Sequence, residues 1–213
     1  PPGLDWDMYL GPAKWVPFNP RRFIWDFRWF WDYSGGNMTD WGAHHNDIAQ
    51  WGMRTEPTGP TWIEGTGQFP TEGLMETPVS YKVTYTYANG VKLVCSSAGN
   101  NVTFYGTEGQ IDVNRGYIRS DPPDIINQPI GPSDVHLYVS NNHFQNFVDC
   151  VKERRLPVCD VEVGHRSVSV CHLGNISIRL RRKIKWDPVK EKIVGDEEAN
   201  RWLDRPMRKP WRL

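Results

Sequence analysis

The chain has 213 residues, enough for one domain with a sizeable core. Lys plus Arg and Asp plus Glu number 25 each, so no overall field points to nucleic acid or to an anionic membrane surface. No apolar run is long enough to span a bilayer, and the four scattered cysteines lack the density of a small disulfide scaffold.

Residues 1–33 are rich in Pro, Trp and Arg without a sustained period. They read as an ordered, extended lead-in, too aromatic for disorder and broken by Pro17 and Pro20. The start Pro1-Pro2-Gly3 has neither Met nor a signal-peptide pattern and is expected to be a processed or truncated end. Of the 11 tryptophans, seven lie within residues 1–51. Most are expected to anchor the core, with one or two lining a site.

Gly35-Gly36 mark a turn. A helix is expected over 37–52, with Asn37 as N-cap, Asp40 at its third position and Gly52 as the stop. Its Asp40, His44, Asp47 and Trp51 are spaced i, i+4, i+7, i+11, which puts them on one narrow stripe. From residue 61 the pattern turns to period two. Strands are expected at 61–69, 81–87, 91–95, 102–106, 110–113 and 117–119, with Asn89-Gly90 as a hairpin turn. Pro122, Pro123, Pro129 and Pro132 mark a loop. A helix at about 142–155 carries the stripe Phe144, Phe147, Val148 and Val151, and a second runs from about 161 to 183. The basic end of the second (Arg179, Arg181, Arg182, Lys183) reads as cations at the negative end of a helix dipole. Residues 184–213 read as a mixed tail. The order implies an α+β domain, with a large, open, mostly antiparallel sheet over 61–119 and helices packed on one face. The other face suits a partner subunit.

Carboxylates one turn either side of His44 would fix its tautomer and leave one nitrogen to accept a proton, as a general base requires. The bland alternative is a capping Asp40 and a surface His44. A metal reading would gather His44, Asp40 or Asp47, His165 and His172, although no strong metal signature is present. His165 and His172 read more simply as satisfied helix histidines. Cys95, Cys150, Cys159 and Cys171 read mostly as buried free thiols, with a Cys150–Cys159 bridge left open. No GxGxxG follows a strand, so the chain shows no cradle for a dinucleotide pyrophosphate.

The string Gly35-Gly36…Asp40-x-Gly42-x-His44-x-x-Asp47 resembles the C-terminal-domain motif of the Gfo/Idh/MocA oxidoreductases, the glucose–fructose oxidoreductase and inositol dehydrogenase family. Residues 29–51, 3–13, 143–180 and 185–211 resemble a subgroup common in planctomycetes and Bacteroidetes, so the resemblance covers nearly the whole chain. It implies the substrate and oligomerisation half of an enzyme that oxidises a secondary alcohol of a sugar, glycoside or cyclitol. It also implies that NAD or NADP is held mainly by a Rossmann domain, and that a catalytic Glu-Lys-Pro lysine is supplied there. Both are missing from these residues, so the chain alone is expected to be inactive.

By this resemblance His44 takes the hydroxyl proton, and Asp40 orients His44 or holds a substrate hydroxyl. Asp47 supports them, while His45, Tyr33 and Arg28 are pocket-lining candidates, with plain packing the rival for Arg28 and Tyr33. A homo-oligomer through the open sheet face is expected, without nucleic acid, membrane or metal. Two alternatives remain: a stand-alone carbohydrate-binding or assembly module, and a metal-dependent sugar lyase or isomerase. Location is left open between cytoplasm and export, since any signal would precede Pro1.

Overall fold

The computed structural model describes residues 1–212. Residues 1–33 are not extended but coil into short turns. Asp5 accepts the Met8 N–H at the start of α1 (Trp6–Leu10), and Asn19 caps a 3₁₀ turn opened by Pro20. Proline fits there because a first-turn residue has no intrahelical N–H partner to lose. Aromatic rings hold these turns together, with Tyr9 between Trp6 at 5.3 Å and Phe23 at 4.8 Å.

Helix α2 spans Trp41–Gly52. Its start corrects the expectation of an Asn37 cap: Gly36–Met38 forms a separate 3₁₀ turn, and Asp40 takes the cap position without a capping bond. Asn37 is engaged elsewhere, accepting from the Tyr81 hydroxyl at 2.8 Å. Gly36 has φ +68°, and a side chain there would collide with Thr77, so the double-glycine turn admits little else.

Strands β1 (Trp62–Gln68), β2 (Ser80–Thr86) and β3 (Lys92–Ser96) form antiparallel pairs, with Asn89-Gly90 turning between β2 and β3. Strands β4 (Val102–Tyr105), β5 (Gln110–Asn114) and β6 (Tyr117–Asp121) make a separate three-stranded antiparallel sheet. The expected meander therefore divides in two.

Helix α3 covers His143–Glu153, capped by Asn142, and α4 covers Val161–Leu180, capped by Asp160. The apolar stripe of α3 is turned outward: Phe144 is 78% and Phe147 63% exposed, while Asn146 and Cys150 face inward. The supposed tail holds two further strands, β7 (Ile184–Asp187) and β8 (Lys192–Ile193), followed by α5 (Glu197–Asn200). They complete a five-stranded sheet of order β3-β2-β1-β7-β8. Arg182, expected in the helix end, lies past it and pairs with Asp196 and Glu198.

The α+β class holds, with α2 and α4 on one face of an open antiparallel sheet. Ile63, Val83, Tyr85, Leu173 and Ile178 form the core between them. The other face shows Trp62, Thr84 and Val94 among charged neighbours. All four cysteines are free thiols, and burial pushes Cys171 up to about 12 and Cys95 up to about 11, the mark of structural groups. Among the described residues no helix is long and apolar enough to cross a membrane.

Helix α4 approaches the sheet through glycine. A side chain at Gly65 would stand 2.8 Å from Ile178, and one at Gly174 would run into the Tyr85 hydroxyl. Gly174→Ala is therefore expected to lose about 1–3 kcal/mol in urea unfolding despite its better helix propensity. An unchanged midpoint would show that the approach can relax.

Candidate functional site

At about 100° per residue, His44, Asp47 and Trp51 fall opposite the buried Gly42, Asn46 and Ala49 of α2. His44 and Trp51 face outward, whereas Asp40 and Asp47 are half-buried. His44 is exposed and meets the Trp41 ring edge-on at 5.9 Å. Its imidazole has no hydrogen bond among the described residues.

The two acids are held by other partners, which corrects the expected orienting role. Asp40 Oδ2 accepts from Arg28 Nη1 at 2.8 Å. Asp40 is the N-cap and lies outside helical geometry, with φ −95° and ψ −94°. Asp47 Oδ1 accepts from Ser167 Oγ at 2.5 Å, across to α4. Neither carboxylate holds His44. Asp40 Oδ1 is left for an incoming donor.

Arg28 is a strut rather than a free pocket residue. Besides Asp40, it donates Nε–H to the Trp25 carbonyl at 3.1 Å and stacks on the Trp25 ring at 4.2 Å. Trp25 itself is 70% exposed, a platform that residue type and spacing did not reveal. His45 bonds through Nδ1 to the Trp41 carbonyl at 2.9 Å. Because a carbonyl only accepts, Nδ1 carries a proton. Tyr33 belongs to the lead-in packing, next to Phe30 and 3.4 Å from Arg22. Ser167 and Asn46, which bonds Cys171 at 3.3 Å, lock α2 to α4 and escaped sequence reasoning because their partners lie over 100 residues away.

His165 and His172 lie about half a turn around α4 from Ser167 and Cys171, so they do not join His44. Among the described residues no group of three or more His, Cys, Asp and Glu side chains could hold a metal ion. The two histidines instead line a cavity of about 450 Å³ with Trp186, Glu191, Trp202 and Arg205. His165 Nε2 bonds Glu191 at 2.8 Å. Burial, aided by Arg205, pushes His172 down from 6.5 to about 4.

The chain matches, over residues 1–213, the family described as an oxidoreductase family, C-terminal alpha/beta domain. No curated protein matches it. Among solved structures it is similar to aldose–aldose oxidoreductase from Caulobacter crescentus, complexed with glycerol, at 16% identity and TM-score 0.56, over 75% of this chain and 50% of that one. It is also similar to the WlbA dehydrogenase from Bordetella pertussis, in complex with NADH and UDP-GlcNAcA, at 14% identity and TM-score 0.55, over 79% and 51%. An NAD-binding protein from Listeria innocua follows at 14% identity and TM-score 0.54, over 82% and 52%. At these identities the likeness is one of fold, and the chain spans about half the length of each.

His172 makes a measurable contribution to stability. Between about pH 6.5 and 4 the unfolded chain binds this proton and the folded chain does not. The contribution is therefore full above the unfolded pKa and lost as pH falls to about 4. Stability is expected to drop by about 2–3 kcal/mol from this group over that window, at about 1.4 kcal/mol per pKa unit and with some relief from partial exposure. Chemical unfolding at several pH values should show the His172→Gln variant with a shallower slope there; an identical slope would remove His172 as the source.

Proposed function

The chain belongs to the Gfo/Idh/MocA oxidoreductase family as its C-terminal α/β domain, and from that premise we propose that it is the substrate-binding and proton-transfer half of an NAD(P)-dependent enzyme. The substrate is a sugar, glycoside or cyclitol oxidised at a secondary alcohol. The observation that carries this reading is His44, an exposed imidazole on α2 with no hydrogen bond among the described residues, four positions after an acid held by an arginine.

The described residues offer no glycine-rich strand-to-helix turn for a pyrophosphate, so the cofactor is assigned to a nucleotide-binding domain outside them. When bound, the nicotinamide supplies the hydride acceptor. The residues of this chain do the rest. His44 accepts the hydroxyl proton of the substrate through a ring nitrogen that no protein group occupies. Asp40, fixed through Oδ2 by Arg28, offers Oδ1 to a neighbouring hydroxyl. Asp47 ties the helix to Ser167 and so holds His44 in place. Trp25, stacked on Arg28, and Trp41, edge-on to His44, supply exposed aromatic surface near the acid and base. A homo-oligomer contact is assigned to the open sheet face bearing Trp62, Thr84 and Val94.

The test is turnover by the full-length protein on a panel of sugars and cyclitols with NAD or NADP. His44→Ala is expected to lower kcat by about 10²–10⁴ with a far smaller change in KM. His45→Ala, whose ring is tied to the helix backbone, is expected to cost much less. Equal losses, or an unchanged rate in His44→Ala, would remove His44 as the base. The 213-residue chain alone is expected to show no turnover.

A further inference from the structure

The cavity behind α4 holds chemistry that the proposed reaction leaves unused. His165, Ser169, His172 and Ile176 repeat the i, i+4, i+7, i+11 spacing along the face of α4 turned away from Ser167 and Cys171. Trp186 and the segment Trp202–Arg205 close the other side. At about 450 Å³ the space falls in the range of small-molecule sites, roughly 300–1,000 Å³.

Two polar groups there are under-used. The Arg205 guanidinium is half-buried and stands 5.5 Å from the Trp31 ring centroid. Its one hydrogen bond among the described residues runs from Nη2 to the Ser34 carbonyl at 3.3 Å, and it forms no ion pair there. Burial lowers its pKa, with Asp32 acting against the shift. The His172 imidazole, also half-buried, has no hydrogen-bond partner among the described residues. Glu191 is not free to compensate, because His165 at 2.8 Å and Arg166 at 2.9 Å hold it. Arg205 and His172 both line the cavity with donor positions that no other described residue occupies. A ligand that accepts from both would use them.

We propose that this cavity is a second ligand site and that its ligand is a sugar acid, with the carboxylate on Arg205 and His172 and the ring against Trp202. Arg205 is the one cation lining the cavity without an ion partner, while the carboxylates of Glu191 and Asp204, which also line it, oppose a second negative charge; this suits a monoanionic carboxylate rather than a dianionic phosphate. The free edge of a guanidinium matches a carboxylate with two parallel hydrogen bonds. An aromatic wall beside such a pair suits a pyranose better than an open-chain acid. The sugar ring follows from the oxidoreductase reading above, whereas the carboxylate rests on the cavity alone.

Calorimetric titration of the full-length protein at pH 7 with glucuronate, glucose and glucose 6-phosphate tests this. Glucuronate is expected to bind at least ten-fold more tightly than either of the others. Arg205→Gln should weaken it at least ten-fold. Since Arg205 also braces Ser34, Ser169→Phe is the second variant: it fills the cavity from the surface of α4 and should have the same effect. His44→Ala should leave glucuronate binding intact, so loss of turnover in that variant and loss of this site are separate results. The proposal fails if wild-type protein does not bind glucuronate, if glucose or glucose 6-phosphate binds as well, or if Ser169→Phe leaves binding unchanged. It also fails if His44→Ala abolishes binding, which would assign the sugar acid to the outward stripe of α2.

Discussion

Helix α4 lies close enough to β1 for the Gly65 N–H to donate to Ser177 Oγ at 2.9 Å, and the placement of the site depends on that approach. Two glycines facing each other allow it, with Ser177 also bonding the Arg182 carbonyl at 2.8 Å. Once α4 is seated, its side chains position the remaining parts. Asn175 donates to the Gly35 carbonyl at 2.8 Å and so fixes the turn that leads into α2. Ser167 and Cys171 then bind Asp47 and Asn46. Helix α2 is thus tied to α4 by polar contacts that cross between elements, which is how a site on a helix keeps its geometry.

An outward polar stripe is ordinarily just a solvated face. What sets this one apart is its aromatic company: Trp25 is 70% exposed, Trp41 43% and Trp51 42%. Large apolar rings left in water forfeit burial worth a few kcal/mol each, roughly 25 cal/mol per Å². A solvated helix face has no use for them, whereas a surface that meets a substrate and a second domain does. The outward stripe of α3, Phe144, Phe147, Val148 and Val151, departs from solvated composition in the same way.

The periodic features were legible in the sequence. The alternation of Tyr81, Val83 and Tyr85 located β2 and its covered face, and the i, i+4, i+7, i+11 spacing located one face of α2. Periodicity does not say which way a face points. The α2 stripe and the α3 stripe both turned outward, since the direction depends on what the opposite face meets. β7 and β8 escaped because four and two residues, half of them charged or polar, are too short to show a period. The Asn37 cap failed to a long-range competitor, Tyr81, that no local rule contains. The partners of Asp40 and Asp47 were invisible for the same reason, so the motif shows none of this wiring.

That wiring changes the roles. A carboxylate engaged with Arg28 through Oδ2 cannot also set the tautomer of an imidazole it does not touch. His44 has neither ring nitrogen committed among the described residues, while its neighbour His45 has Nδ1 spent on the Trp41 carbonyl. In His45 the backbone ties the ring to the helix. The His44 ring carries no such tie, so in the proposed role the group that fixes its tautomer would come from outside the helix. On the role proposed for His44, proton transfer would therefore depend on assembly of the site rather than on α2 alone.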